Sequence, residues 1–260
     1  MKTFFLFLMG LGCATAVSGQ QAKPDSALAR PPEKSRWHIL IEPYIMVGSL
    51  NGNVGVGTLP AGNINESPHD LLQHLQFGSM LYLEAHNDRW LFSSDLIYMK
   101  LSQDFSPRDV VLGGHADMKQ LTWELAALRE LKPWFAAGIG LELNSVKSDL
   151  SVTTDEGSGP VSNGNSLSKT WVDPVLIAAI KMPLKHKLAL RFRGDIGGFG
   201  IGSKVCWQLQ GYVDYHLTKL FQVSAGYRAI KVDYEKGSGG DYFLYNIISF
   251  GPVLRVGFNF

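Results

Sequence analysis

The clearest regularity in the chain has a period of two. From the last residue backwards, Phe260, Phe258, Val256, Leu254, Pro252 and Phe250 fall on one face, and Asn259, Gly257, Arg255, Val253 and Gly251 fall on the other. Side chains alternate in this way only along an extended strand. The same alternation recurs upstream. Ile39, Ile41, Ile45 and Val47 oppose Leu40, Glu42, Tyr44 and Met46, while Leu188, Leu190, Phe192 and Ile196 oppose Ala189, Arg191, Arg193 and Asp195. Phe221, Val223, Ala225 and Tyr227 oppose Gln222, Ser224, Gly226 and Arg228. About ten such runs lie between Trp37 and Phe260.

The connections between these runs alternate in length. Those near 50–74, 104–115 and 146–169 read as long, whereas Asn87–Arg89, Leu131–Pro133 and Pro183–Lys187 are tight turns. Outer-membrane barrels behave this way, with short periplasmic turns, longer extracellular loops and an even strand count that leaves both termini in the periplasm. The pattern predicts an all-β fold, an antiparallel transmembrane β-barrel of about ten strands over residues 37–260. Ser67 followed by Pro68 is a good helix start, so a short helix is expected in the first long connection. Pro43, Pro174 and Pro252 fall inside predicted strands and cannot donate to a ladder, so each should mark a bulge or a strand end.

Composition supports an envelope protein. The 28 glycines among 260 residues suit turns and crowded barrel interiors. No stretch reaches the 18 or more apolar residues of a membrane-spanning helix. Residues 1–19 carry a basic start, an apolar run to Val17 and small residues at Ala14, Ala16, Ser18 and Gly19, which together read as a secretory signal peptide. Residues 20–36, with Pro24, Pro31 and Pro32, read as a loose periplasmic leader. Formal charge is +1 with dispersed Lys and Arg, which gives no basic surface for nucleic acid. Removal of Cys13 with the signal peptide leaves Cys206 alone, so neither a disulfide nor a cysteine metal centre is expected, and no cofactor or metal is indicated.

Alternation alone also suits a soluble barrel with its apolar face turned inward. The polar face argues otherwise, because it holds Gly, Gln, Ser, Arg and carboxylates rather than the lysines of a wetted sheet. Aromatic residues Trp37, Trp90, Trp134, Trp171, Tyr215, Phe258 and Phe260 gather toward strand ends, as interfacial girdles do. Lipid therefore meets the apolar face, and the expected location is the outer membrane of a Gram-negative bacterium.

The lumen should then hold Glu42, Glu84, Asp95, Glu124, Glu142, Asp173 and Asp195 with Arg191, Arg193, Arg228 and Arg255. Arginine pairs bidentately with carboxylates, so these residues are expected to form an interstrand ion-pair network. The same residues could instead line a narrow passage for small solutes. The leading expectation is a structural or interaction barrel, or such a passage. The alternative is a hydrolase at the extracellular rim acting on lipid or peptide. His115 and Asp117 share a strand face there and are the candidate catalytic pair. His69 and His74 are poorly spaced for one helical face, and no omptin protease motif is found. Expected partners are outer-membrane lipid, lipopolysaccharide and, through the strand ending in Phe260, the barrel-assembly machinery, with the chain a monomer.

Several segments resemble a group of bacterial outer-membrane β-barrel proteins of unassigned activity. They are Pro43-Tyr44, Val54-Gly55-Val56-Gly57, Trp171-Val172-Asp173-Pro174, Arg193-Gly194-Asp195-Ile196-Gly197-Gly198-Phe199-Gly200, Trp207-Gln208 and Gly226-Tyr227-Arg228. The resemblance covers nearly all of residues 37–260 and implies the fold and the membrane, but no catalytic set. Ile177 and Ala179 stand where such proteins tend to carry a glycine and a basic residue.

Overall fold

A computed structural model of the chain describes residues 36–57, 61–105, 111–155 and 160–260. The expected signal peptide at 1–19, and the leader apart from Arg36, lie outside the described residues. The elements are β1 (His38–Met46), β2 (Ser49–Val56), β3 (Gly62–Glu66), α1 (Pro68–His74), β4 (Leu75–His86), β5 (Trp90–Phe105), β6 (Val111–Lys132), β7 (Phe135–Asp155), β8 (Pro160–Pro183), β9 (Leu188–Gly197), β10 (Val205–His216), β11 (Phe221–Lys236) and β12 (Phe243–Asn259).

Neighbours from β4 to β12 pair antiparallel in chain order, and β1 joins β4 to β12 to close the ring. β2 continues β1 along the same partner. β1 pairs with β12 from Leu40↔Asn259 to Met46↔Val253, and β2 takes over from Ser49↔Phe250 to Val56↔Phe243. Counting β1 and β2 as one bent strand gives a barrel of ten. The region expected to be a long first loop therefore holds two paired strands, β2 and β3, ahead of the helix. Its period was hidden by glycine, and Gly52 is required because a Cβ there would sit 1.9 Å from the Asn246 carbonyl oxygen, at φ +145°.

The three prolines sit where ladders break. Pairing of β1 with β4 ends at Pro43, pairing of β8 with β9 begins one residue after Pro174, and Pro252 lies where β12 passes from β1 to β2. Each missing N–H falls at a point that needs no donor. The helix also forms as expected. Ser67 caps it by accepting from Asp70 N, and the Asp70 carboxylate accepts from Ser67 N in return. Hydrogen bonds from Ser67 hold the Asp70 carboxyl below its usual range.

β6, β7 and β8 contain 22, 21 and 24 residues, about twice the 9–11 that a tilted strand needs to cross the bilayer. With β5 they project as a blade from the end opposite the tight turns. Pairing runs unbroken to Phe105↔Gly114 and Asp155↔Pro160, so most of the stretches expected to be loops at 104–115 and 146–169 are paired strand. Outside the membrane both faces of a sheet meet water, and the apolar alternation that reveals a strand disappears.

β9 and β10 are short, with 10 and 12 residues. Above Val175↔Gly197, β8 therefore pairs only with β7. The turn after β9 folds inward to fill the space, with Gly198, Phe199 and Gly200 all at positive φ. It places Ser203 at full burial. Trp171, expected in an outer girdle, lies inside instead. It shares the face of Asp173, donates through Nε1 to Ser203 Oγ (2.9 Å) and Asp173 Oδ2 (3.1 Å), and stacks on Tyr234 at 4.0 Å.

The outer face is apolar around the ring, with Ile39, Phe92, Leu125, Ile139, Leu176, Leu209 and Leu254 all exposed. At the tight-turn end, Trp37, Phe92 and Trp90 form a stacked row with centroids 5.9 and 6.0 Å apart, and Phe221 meets Phe258 at 4.8 Å. A polar, charged interior inside an apolar exterior reverses the order of a soluble barrel.

Candidate functional site

The lumen is organised by strand register. Glu42 stands opposite Tyr82, Tyr82 opposite Asp95, Asp95 opposite Glu124, Glu124 opposite Glu142, and Glu142 opposite Asp173. One row of the pleat thus carries five carboxylates across six strands, all with side chains pointing inward and all buried. Like charges placed directly opposite each other repel, so this wall holds only if charge reaches it from elsewhere. The arginines supply that charge from the far wall, on β9, β11 and β12.

Arg191 binds Glu42 with Nη2 2.9 Å from Oε1, and its Nε lies 2.6 Å from Asp214 Oδ2. Arg255 donates to Glu42 Oε2 at 3.3 Å and to the Tyr212 hydroxyl at 2.8 Å. Its guanidinium also lies 4.3, 4.7 and 4.9 Å from the ring centroids of Tyr212, Tyr44 and Tyr82, a cage that holds a cation by its π faces. Arg228 pairs with Asp95 at 3.0 Å and donates to the Tyr44 hydroxyl at 2.7 Å, and that hydroxyl in turn donates to Asp95 Oδ1 at 2.6 Å. Arg193 binds Glu124 and donates to Ser93 Oγ at 3.0 Å. Every expected lumen residue lies on the inner face. Sequence reading missed the tyrosine cage, since Tyr44, Tyr82 and Tyr212 share parity with the charges, and it assigned no partner to Asp214.

This network closes the middle of the barrel. Toward the tight-turn end lies a cavity of about 380 Å³ lined by Glu84, His86, Leu128, Lys181, Arg191 and Tyr212 among others. Toward the blade the interior turns apolar, with Ile97, Trp171, Val175, Ile177, Tyr234, Phe243 and Tyr245 buried. The helix adds Leu71 to this apolar plug, beside Met46, Met80 and Met99. Ile97 and Met99 therefore point inward, on the face that carries Asp95. Ile177 fills the notch before Gly140, where a Cβ would come within 3.0 Å of its Cδ1.

At the last two rungs the pairing changes. Asp173 Oδ1 accepts from Ser203 N and Oδ2 from Ser203 Oγ, both at 2.6 Å, and Glu142 Oε1 accepts from Asn144 Nδ2 at 2.7 Å. The ion pairs among the described residues bring no arginine or lysine to either carboxylate. Cys206 is buried beside them.

The rim pair His115 and Asp117 lies on the blade. His115 Nε2 is 3.3 Å from Asp117 Oδ1 and 3.3 Å from Ser102 Oγ. Both contacts fall on the same ring nitrogen. A base that takes a serine proton needs its two nitrogens divided between nucleophile and carboxylate, so this trio is not arranged as a hydrolase triad. Of the two histidines weighed in the first long connection, His69 and His74, His69 contacts Gln73 Nε2 at 3.0 Å along α1.

A closed antiparallel barrel, apolar outside and filled with paired charges inside, defines an outer-membrane β-barrel protein. No family model matches the chain, and no curated protein matches it. Among solved structures it is similar to the outer membrane protease OmpT from Escherichia coli, at 8% identity and a TM-score of 0.49, covering 87% of this chain and 97% of that one. It is also similar to Ail, the attachment invasion locus protein of Yersinia pestis, at 10% identity and a TM-score of 0.36, covering 86% and 98%. A third, the Pseudomonas putida toluene transporter TodX, gives 9% identity and a TM-score of 0.34 over 86% and 90%.

Proposed function

We propose that this protein is a closed-lumen outer-membrane barrel whose working surface is the β5–β8 blade, held outside the cell as an interaction element. The observation that carries this reading is a contrast within one molecule. Three strands run about ten residues past the bilayer, while a continuous charge and tyrosine network fills the bore that a solute would need. On this reading a cleaved signal peptide exports the chain, the strand ending in Phe260 presents it to the assembly machinery, and it works as a monomer amid lipid and lipopolysaccharide.

Planar-bilayer recording tests the closed lumen. The purified barrel should give no steady single-channel steps, and an Arg255→Ala variant, lacking the caged guanidinium, should conduct. Steady steps from the unaltered protein would restore the solute-passage reading. Replacing residues 148–166 with a tight turn should leave a folded, silent barrel, because no lumen residue of the network lies in that segment.

A further inference from the structure

We propose that Glu142, Asp173 and Cys206 form a binding site for one divalent cation of zinc-like softness. One carboxylate oxygen from each acid and the Cys206 sulfur all lie within 4.8 Å of one another. Zinc–sulfur and zinc–oxygen bonds are about 2.3 and 2.0–2.2 Å, so a single ion reaches all three after small side-chain movements. A thiolate beside carboxylates favours zinc or cobalt over the hard cations magnesium and calcium.

Asp195 supplies the independent observation. It is only 6% exposed, its Oδ2 is taken by Gln208 Nε2 at 2.9 Å, and its Oδ1 has no hydrogen-bond partner. It lies on β9 two residues before Gly197, the register partner of Cys206. A buried carboxylate oxygen without a donor is costly, and two adjacent buried acids without a counter-ion are more so. Further along the row the arginines answer this need, but here no basic side chain does among the described ion pairs. A cation would supply the missing charge.

The surroundings are those of a prepared site. Ser203 N, Ser203 Oγ and Trp171 Nε1 fix the Asp173 carboxylate, and Asn144 fixes Glu142, the outer contacts that orient metal ligands. Gly202 lets the inward turn approach, since a Cβ there would stand 2.5 Å from Asp173 Oδ1. Binding converts the Cys206 thiol to a thiolate and releases its proton to solvent. Glu142, Asp173 and Cys206 are 4%, 0% and 2% exposed, so the ion enters as the barrel closes rather than afterwards.

The test refolds the full chain, with Cys13→Ala so that Cys206 is the sole thiol, into detergent micelles with cobalt(II) or zinc(II). Folding is checked by heat-modifiable gel mobility. The expected result is one tightly held ion per folded chain and a sulfur-to-cobalt charge-transfer band in the near ultraviolet, both lost in Cys206→Ala and in Glu142→Gln. The cobalt spectrum of the unsubstituted site decides the matter even where a variant fails to fold. Folded barrels that show no such band, and no zinc beyond the Cys206→Ala level, overturn the proposal and leave protons to neutralise the acids.

Discussion

The indole of Trp171 and the phenol of Tyr234 stack at 4.0 Å although their strands, β8 and β11, are not neighbours. The contact bridges the space left by the short β9–β10 hairpin, and the Trp171 N–H ties the inward turn to it through Ser203. Trp171→Ala removes the bridge, a large buried ring and a buried donor together. The expected loss is about 3–5 kcal/mol in urea-induced unfolding. A loss below ~1 kcal/mol would mean that the inward turn closes the wall without help.

Glu42 is fully buried and is shared by Arg191, Arg255 and Gln222. Glu42→Ala leaves two arginines facing each other in the lumen, so stability should fall by about 3–5 kcal/mol. Glu42→Gln keeps the shape and one acceptor and should fall by less. Equal losses in denaturant titrations would show that packing, not charge, holds this end of the network.

Ile139 is 66% exposed on the outer face of β7, three residues from Glu142 of the lumen row. If lipid covers it, Ile139→Arg should lower the folding free energy in lipid vesicles by about 2–4 kcal/mol, the range for a cation near the bilayer midplane. A neutral or stabilising outcome would place that face in water.

Two carboxyls on the blade sit below their ordinary value of 3.8. A hydrogen bond from Ser166, then Lys147, lowers Asp149, and a hydrogen bond from Ser102, then the His115 charge, lowers Asp117. A depressed folded value adds stability that is complete above the unfolded value and lost as pH falls through the folded one. Both contacts cross between strands, β7 to β8 and β5 to β6. Amide exchange corrected for intrinsic rates should therefore show blade protection constant from pH 7 to about 5 and weakening below about 4. Loss of protection between pH 7 and 5 would show that groups other than these two carboxyls control the blade.

How much could be read in advance depended on what each face of a strand touches. Leu188–Ile196 was legible because lipid lies on one side and Arg191, Arg193 and Asp195 on the other, the condition that produces a clean period of two. The upper parts of β7 and β8 were not, because water meets both faces and serine and aspartate then serve on either. β2 was obscured for a different reason, since Gly52 and Gly55 are dictated by close backbone approach and carry no hydrophobic signal. Residue parity placed Glu124, Glu142, Asp173 and the arginines in the lumen. It could not show that four of the carboxylates stand shoulder to shoulder on β5 to β8, because cross-strand register emerges only when the ring closes. Trp171 shares parity with Asp173, and its position near a strand end outweighed that signal.

The distribution of charge along the chain bears on when the barrel becomes a barrel. Strands β1 to β8 present an anionic wall, and its four neutralising guanidinium groups all arrive in the final seventy residues. Until those residues are in place the growing sheet carries a one-sided field across its concave surface, and each strand from β4 to β8 deepens it. Sealing the seam between the first strand and the last is then also the moment at which Glu42, Asp95 and Glu124 all have their counter-charges, so a chain truncated before Arg191 has no stable half-built form to rest in.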